Sequence, residues 1–144
     1  MTSSDEKRAL TAEITPYEGV GNIRFGMSLS ECEGILSSRD ASSFRRTPEA
    51  EETVAFDEIG VQLSFSESGK LELIEAHSPS VISYRGIPLL GRAATEVEDD
   101  LKEAGARGSA SDAGVDYLDD GFALYSPGGR VEAVSVFVRG YYDD

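Results

Sequence analysis

Residues 26–36, "GMSLSECEGIL", can be laid beside residues 91–101, "GRAATEVEDDL", and this pairing decides how the chain is read. Ser30 then meets Thr95, Glu31 meets Glu96, Cys32 meets Val97, Glu33 meets Glu98 and Leu36 meets Leu101. Each copy carries a Ser/Thr-x-x-Glu capping box, Ser30 to Glu33 and Thr95 to Glu98. In such a box the hydroxyl and the carboxylate each accept from an amide that the first turn leaves unpaired. Apolar residues follow at helical spacing: Leu29, Cys32 and Leu36 in one copy, Ala94, Val97, Leu101 and Ala104 in the other. The spacing predicts one short amphipathic helix at the head of each half.

The parallel runs on. Residues 56–76, "FDEIGVQLSFSESGKLELIEA", face residues 117–136, "YLDDGFALYSPGGRVEAVSV". Gly60 meets Gly121, Leu63 meets Leu124, and Gly69 meets Gly129, followed by Lys70–Leu71–Glu72 against Arg130–Val131–Glu132. "SESGK" and "SPGGR" are turn signals between alternating runs, which marks hairpins. Three strands are expected after each helix, at 53–57, 61–66 and 70–77, then at 115–118, 121–126 and 130–139. Upstream, "YEGVGNIRFG" resembles "YRGIPLLG" more loosely, and "SPSVIS" joins the halves. The polar segment 37–52 is the longest connection and is expected to be the most mobile loop.

The fold class expected is therefore α+β, a tandem repeat of two helix-plus-three-stranded antiparallel units. Residues 14–80 form the first unit, residues 81–144 the second, and residues 1–13 a flexible tail; the units make one compact domain. A three-stranded sheet with one helix is marginal alone. The two units must bury their apolar faces against each other or join into one continuous sheet with helices behind it.

Composition narrows the function. The 144 residues hold 27 acids against 13 bases, a formal net charge of −14. Nucleic acid and anionic membranes both require a basic footprint, so neither suits this chain. A basic protein partner does, although the same charge also serves plain solubility. The single cysteine excludes an internal disulfide. The start "MTSSDEKRAL" lacks an apolar signal core, and no apolar run approaches the ~20 residues of a membrane span. Cytoplasmic location is expected.

Catalytic and metal constellations are not found. Cys32 aligns with Val97, so its position calls for a small apolar group, and His77 is the lone histidine. "EVEDDLKE" reads as a solvated helix face whose acids suit the helix start. "DAGVDYLDDG" misses the alternating ligand spacing of a calcium loop. No cofactor is expected. Tyrosine is favoured at protein interfaces because its ring is apolar and its hydroxyl can hydrogen-bond. Tyr141 and Tyr142 in "FVRGYYDD" and Tyr125 in the last hairpin, with Glu75, are the partner-binding candidates, while Tyr117 aligns with Phe56 and belongs to the core.

The signature "FGMSLSECEGIL", followed by a hairpin ending "SGKLELIEA", resembles tandem helix-plus-sheet proteins of the beta-lactamase inhibitory protein and BamE-like kinds. The resemblance covers about 55 residues in each half and implies a non-catalytic scaffold whose sheet face grips a partner. The chain departs from both by lacking the inhibitor's stapling cysteines and a lipoprotein signal, so neither named activity carries over. In size and charge the chain is also similar to bacterial immunity proteins, which neutralise toxins. The function expected is a protein-binding module of the inhibitor or immunity type. The alternative is a small-ligand or enzymatic domain with a pocket between the halves that uses His77. A homodimer joined through free strand edges is a third reading.

Overall fold

A computed structural model describes residues 10–36, 44–47, 50–56 and 58–141. Among them are two helices, α1 (Leu29–Leu36) and α2 (Ala94–Glu103). Both helix starts are clasped to their own half in the same way. Gly26 N–H donates to the Leu71 carbonyl at 2.9 Å and Leu71 N–H returns a bond to Met27 at 2.8 Å; Gly91 and Val131 do likewise, with Val131 N–H reaching the Arg92 carbonyl.

The caps are not the ones expected. Both helices begin before Ser30 and Thr95, which puts those residues inside the first turn. The box on α1 is Ser28 with Glu31: Glu31 N–H donates to Ser28 Oγ at 3.2 Å, and Ser28 N–H donates to Glu31 Oε1 at 2.9 Å. On α2 the cap is Ala93, which has no hydroxyl; Ala94 N–H is satisfied instead by the Gly129 carbonyl at 2.8 Å.

Among the described residues, four strands of the large sheet follow each helix, one more than the sequence suggests. They are β4 (Phe44–Thr47), β5 (Ala50–Phe56), β6 (Val61–Phe65) and β7 (Leu71–His77) after α1. After α2 come β10 (Ser109–Ser111), β11 (Gly114–Tyr117), β12 (Phe122–Tyr125) and β13 (Ala133–Phe137). The additional strands, β4 and β10, are polar runs without apolar alternation, so nothing in their pattern announces a strand. All eight make one sheet in the order β10-β11-β12-β13-β7-β6-β5-β4. The halves meet at β7 and β13, which pair antiparallel from Ala133↔His77 to Phe137↔Leu73. Outward from that seam, each half lays down its strands in reverse chain order.

A second sheet has the order β3 (Ile23–Arg24), β2 (Gly19–Val20), β1 (Thr11–Thr15), β8 (Val81–Tyr84) and β9 (Ile87–Pro88). Its centre is a parallel pairing of β1 with β8 through Thr11↔Val81 and Glu13↔Ser83. The tail expected through residue 13 therefore gives way to structure earlier. Leu10 and Ile14 are buried and anchor the strand, while residues 1–9 lie outside the described residues. The link at 78–83 likewise turns into strand at Val81.

One apolar cluster joins these parts: Cys32 and Leu36 of α1, Val97 and Leu101 of α2, and Ile14, Val20 and Ile82 of the small sheet all belong to it. The large sheet contributes a stripe, Val54–Leu63–Ile74–Val136–Phe122, in which each residue pairs with the next across neighbouring strands and all are buried. Burying such a side chain contributes about 1.5–3 kcal/mol.

Candidate functional site

Side chains alternate across a strand, so residues one position off the buried stripe point to the other face. Register places Asp116, Ala123, Ser135, Glu75, Gln62 and Ala55 in one row there. Tyr125, Ala133 and His77 form a second row; Ser64, Leu73 and Phe137 form a third. This face mixes polar, apolar and acidic groups.

Its two ends differ. Over β5–β7 the polar groups serve one another: Gln62 Nε2 donates to Glu75 Oε1 at 3.2 Å, and the Thr53 and Ser64 hydroxyls lie 3.1 Å apart. Over β11–β13, Leu118 is 50% exposed and Tyr125 47%. Asp116 lies beside them and Asp112 sits in the β10–β11 turn. Neither has an ion-pair partner among the described residues. Asp112, Asp116, Leu118, Ala123 and Phe137 line an open groove of about 480 Å³.

Phe137 is held from behind. The Tyr17 ring meets it edge-on at 6.2 Å and the Tyr141 ring stacks on it at 6.5 Å. Tyr17 has φ 61°, a left-handed conformation that costs a bulky residue of order 1–3 kcal/mol. Three contacts keep it there. Its hydroxyl donates to the Leu118 carbonyl, the Arg139 guanidinium lies 4.1 Å above its ring, and its backbone and ring press on Gly121, where a Cβ would approach to 3.2 Å.

Of the residues singled out from sequence, Tyr125 and Glu75 both reach this face, on β12 and β7 with β13 between them. Tyr141 sits apart from them, half-buried against Phe137. Tyr142 lies outside the described residues. Sequence reasoning missed Leu118, Asp112, Asp116 and Tyr17. Leu118 and Asp116 have the same strand parity on either side of core-facing Tyr117, and that alternation was the available signal.

Two further clefts open elsewhere. One, of about 360 Å³, lies where the halves meet and is lined by His77, Leu90, Arg130 and Glu132 among others. His77 is exposed, its Nδ1 is 2.9 Å from the Ser78 carbonyl, and Arg130 donates to the Gly91 carbonyl at 3.0 Å. The other, of about 450 Å³, separates α2 from β10 and β11 and includes Glu98, Lys102, Arg107 and Tyr117.

Among the described residues the perturbed groups are all raised. Burial, then the charges of Glu98 and Asp120, pushes the Tyr117 hydroxyl up to about 12. Burial, then Glu31 and Glu33, pushes the Cys32 thiol up to about 11. Tyr84 is raised by burial and by donating to Asp120, with Arg85 opposing. These groups stay protonated at neutral pH, the wrong direction for a nucleophile. Among the described residues no three of His, Cys, Asp and Glu gather to hold a metal ion, and no helix is long and apolar enough to cross a membrane.

Comparison with protein-family models, curated proteins and solved structures returned no match. Function must be argued from the chain's own geometry.

Proposed function

We propose that the chain is a non-catalytic protein-binding module of the inhibitor or immunity type, which takes a basic protein partner on the open face of its large sheet. One observation carries the reading: across β11–β13, half-exposed Leu118 and Tyr125 stand beside carboxylates that have no cation among the described residues. Tyrosine is enriched among the residues that anchor interfaces, exposed apolar surface such as that of Leu118 gains by being covered, and unpaired acids supply charge complementarity and faster encounter with a basic surface.

The scaffold reading belongs to the same proposal: one helix-and-sheet unit, written twice. The paired clasps at Gly26 and Gly91 support it. So do the matched strand-end bonds, His77 N–H to the Gly60 carbonyl at 2.9 Å and Phe137 N–H to the Gly121 carbonyl at 3.1 Å. These are the glycines that the sequence alignment equates. The likeness to the inhibitor and BamE-like scaffolds falls within this proposal.

The test is affinity capture on the intact chain from lysate of the source cells. A protein retained at low and physiological salt, and lost from a Leu118→Ser/Tyr125→Ala variant with unchanged circular dichroism, is the expected result. Equal retention by the variant, or no retained protein at either salt, overturns the reading. The small-ligand alternative has one observation in its favour, the cleft at the junction that brings His77 and Glu132 together. A His77→Ala change that abolishes partner capture while Leu118→Ser leaves it intact would favour that cleft.

A further inference from the structure

We infer that the groove between the β10–β11 turn and Phe137 seats one arginine side chain of the partner. The inference rests on the binding-face reading and specifies what that face recognises.

The groove has the two parts that such a side chain needs. Leu118, Ala123 and Phe137 give it an apolar floor, on which a three-carbon stem can lie with its charged head still hydrated. Asp112 and Asp116 also line the groove, and no described cation neutralises either. A guanidinium presents a planar fork of donors that carboxylates accept in pairs. Arginine is favoured over lysine for a second reason. A guanidinium is more weakly hydrated than an ammonium and stacks on aromatic faces, and the corner behind Phe137 already holds one that way, Arg139 at 4.1 Å over Tyr17. Arg139 is engaged there, which leaves Asp112 and Asp116 to an incoming cation.

A second copy of the chain would bring another net −14 to these carboxylates, so like charge opposes self-association at this groove. A basic partner is drawn to it.

The test is an amide NMR titration of the isotopically labelled full chain with N-acetyl-arginine methylamide. The citrulline and lysine counterparts serve as controls: citrulline keeps the shape without the charge, lysine the charge without the fork. Saturating shifts clustered on residues 112–124 and on Phe137 are expected. Citrulline should bind about tenfold more weakly, the equivalent of about 1.4 kcal/mol, and lysine several-fold more weakly. Asp112→Asn/Asp116→Asn should lower arginine affinity about tenfold while the remaining spectrum stays in place, which shows that the variant is folded. Shifts of equal size with citrulline, or shifts spread over the acids of α2, overturn the inference. If the probe fails but capture of the protein partner still depends on Leu118 and Tyr125, the arginine seat falls and the binding face stands. If capture is indifferent to that face, the module reading falls instead.

Discussion

Over β5–β7 the polar side chains of the open face spend their hydrogen bonds on each other, Gln62 on Glu75 and Thr53 on Ser64. Over β11–β13 the same face leaves Leu118 and Tyr125 half in solvent and Asp112 and Asp116 without a cation among the described residues. The backbones of the two regions are fastened by matching bonds, so the contrast is one of side chains. A hydrogen-bonded polar pair gains little when a partner covers it, because breaking it costs what a new bond returns. Exposed apolar and charged groups have more to gain. The strand ends run the other way: His77 on β7 stands exposed, while its counterpart Phe137 on β13 is covered by Tyr17 and Tyr141. Among the described side chains, the face over β5–β7 is finished and that over β11–β13 is left receptive.

The contrast can be broken most forcefully through the core, which both ends share. Phe122→Ala should cost about 3–5 kcal/mol and Leu63→Ala about 2–5 kcal/mol in urea unfolding. Because β7 and β13 are paired, either change should lower a single transition that amide exchange reports for both halves together. Two separated transitions would show that the halves are independent. Next in size is the effect on binding. Leu118→Ser/Tyr125→Ala should weaken partner affinity by more than about 2 kcal/mol by calorimetry, with stability changed by no more than about 0.5 kcal/mol. Gln62→Ala/Ser64→Ala, at the finished end, should leave affinity near that of the wild type. Equal losses at both ends would erase the distinction.

Alkaline pH should then sharpen it. The Tyr117 phenol ionises near 10 when unfolded and at about 12 when folded, so the unfolded chain releases its proton first. Stability from this residue is full below pH 10 and declines as pH rises through about 12. Cys32 contributes in the same sense between 9 and about 11. Tyr117→Phe should flatten the upper part of the decline and Cys32→Ala the lower part; a pH–stability curve that neither change alters would refute both assignments. The smallest effect concerns the caps. Ser28→Ala should cost about 1 kcal/mol. Thr95→Ala, at a residue already inside α2, should cost nothing measurable in the same denaturation series.

Much of the fold was legible from residues 26–36 and 91–101, because helical spacing and matched glycines are local signals. The hairpins after Gly60 and Gly121 were legible for the same reason. Cap positions were not. Ser28 and Ser30 look equally suitable in sequence, and the clasp between Gly26 and Leu71 decides between them. The small sheet was hidden because its strands β2 and β3 are two residues long and its central pairing joins Thr11 to Val81 across the first half. β10, Ser-Ala-Ser, has no pattern of its own and exists because β11 offers it an edge. Tyr125 and Glu75 were reachable because Leu124 and Ile74 fix the opposite parity. Asp116 and Leu118 fell within the strand expected at 115–118 but were passed over because the aspartates were weighed only as calcium ligands, although Tyr117 between them is buried in the core and turns both to the other face.

The seam between β7 and β13 also bears on biosynthesis. The neighbour that completes the inner edge of β7 is some sixty positions further along the chain, at Ala133–Phe137. As the ribosome releases the chain from its amino end, β4 to β7 can zip up early, but their last strand must wait with its amides and carbonyls bare until β13 has been made. The nascent protein is thus prone to sticking between the synthesis of β7 and that of β13, the strand that relieves the hazard.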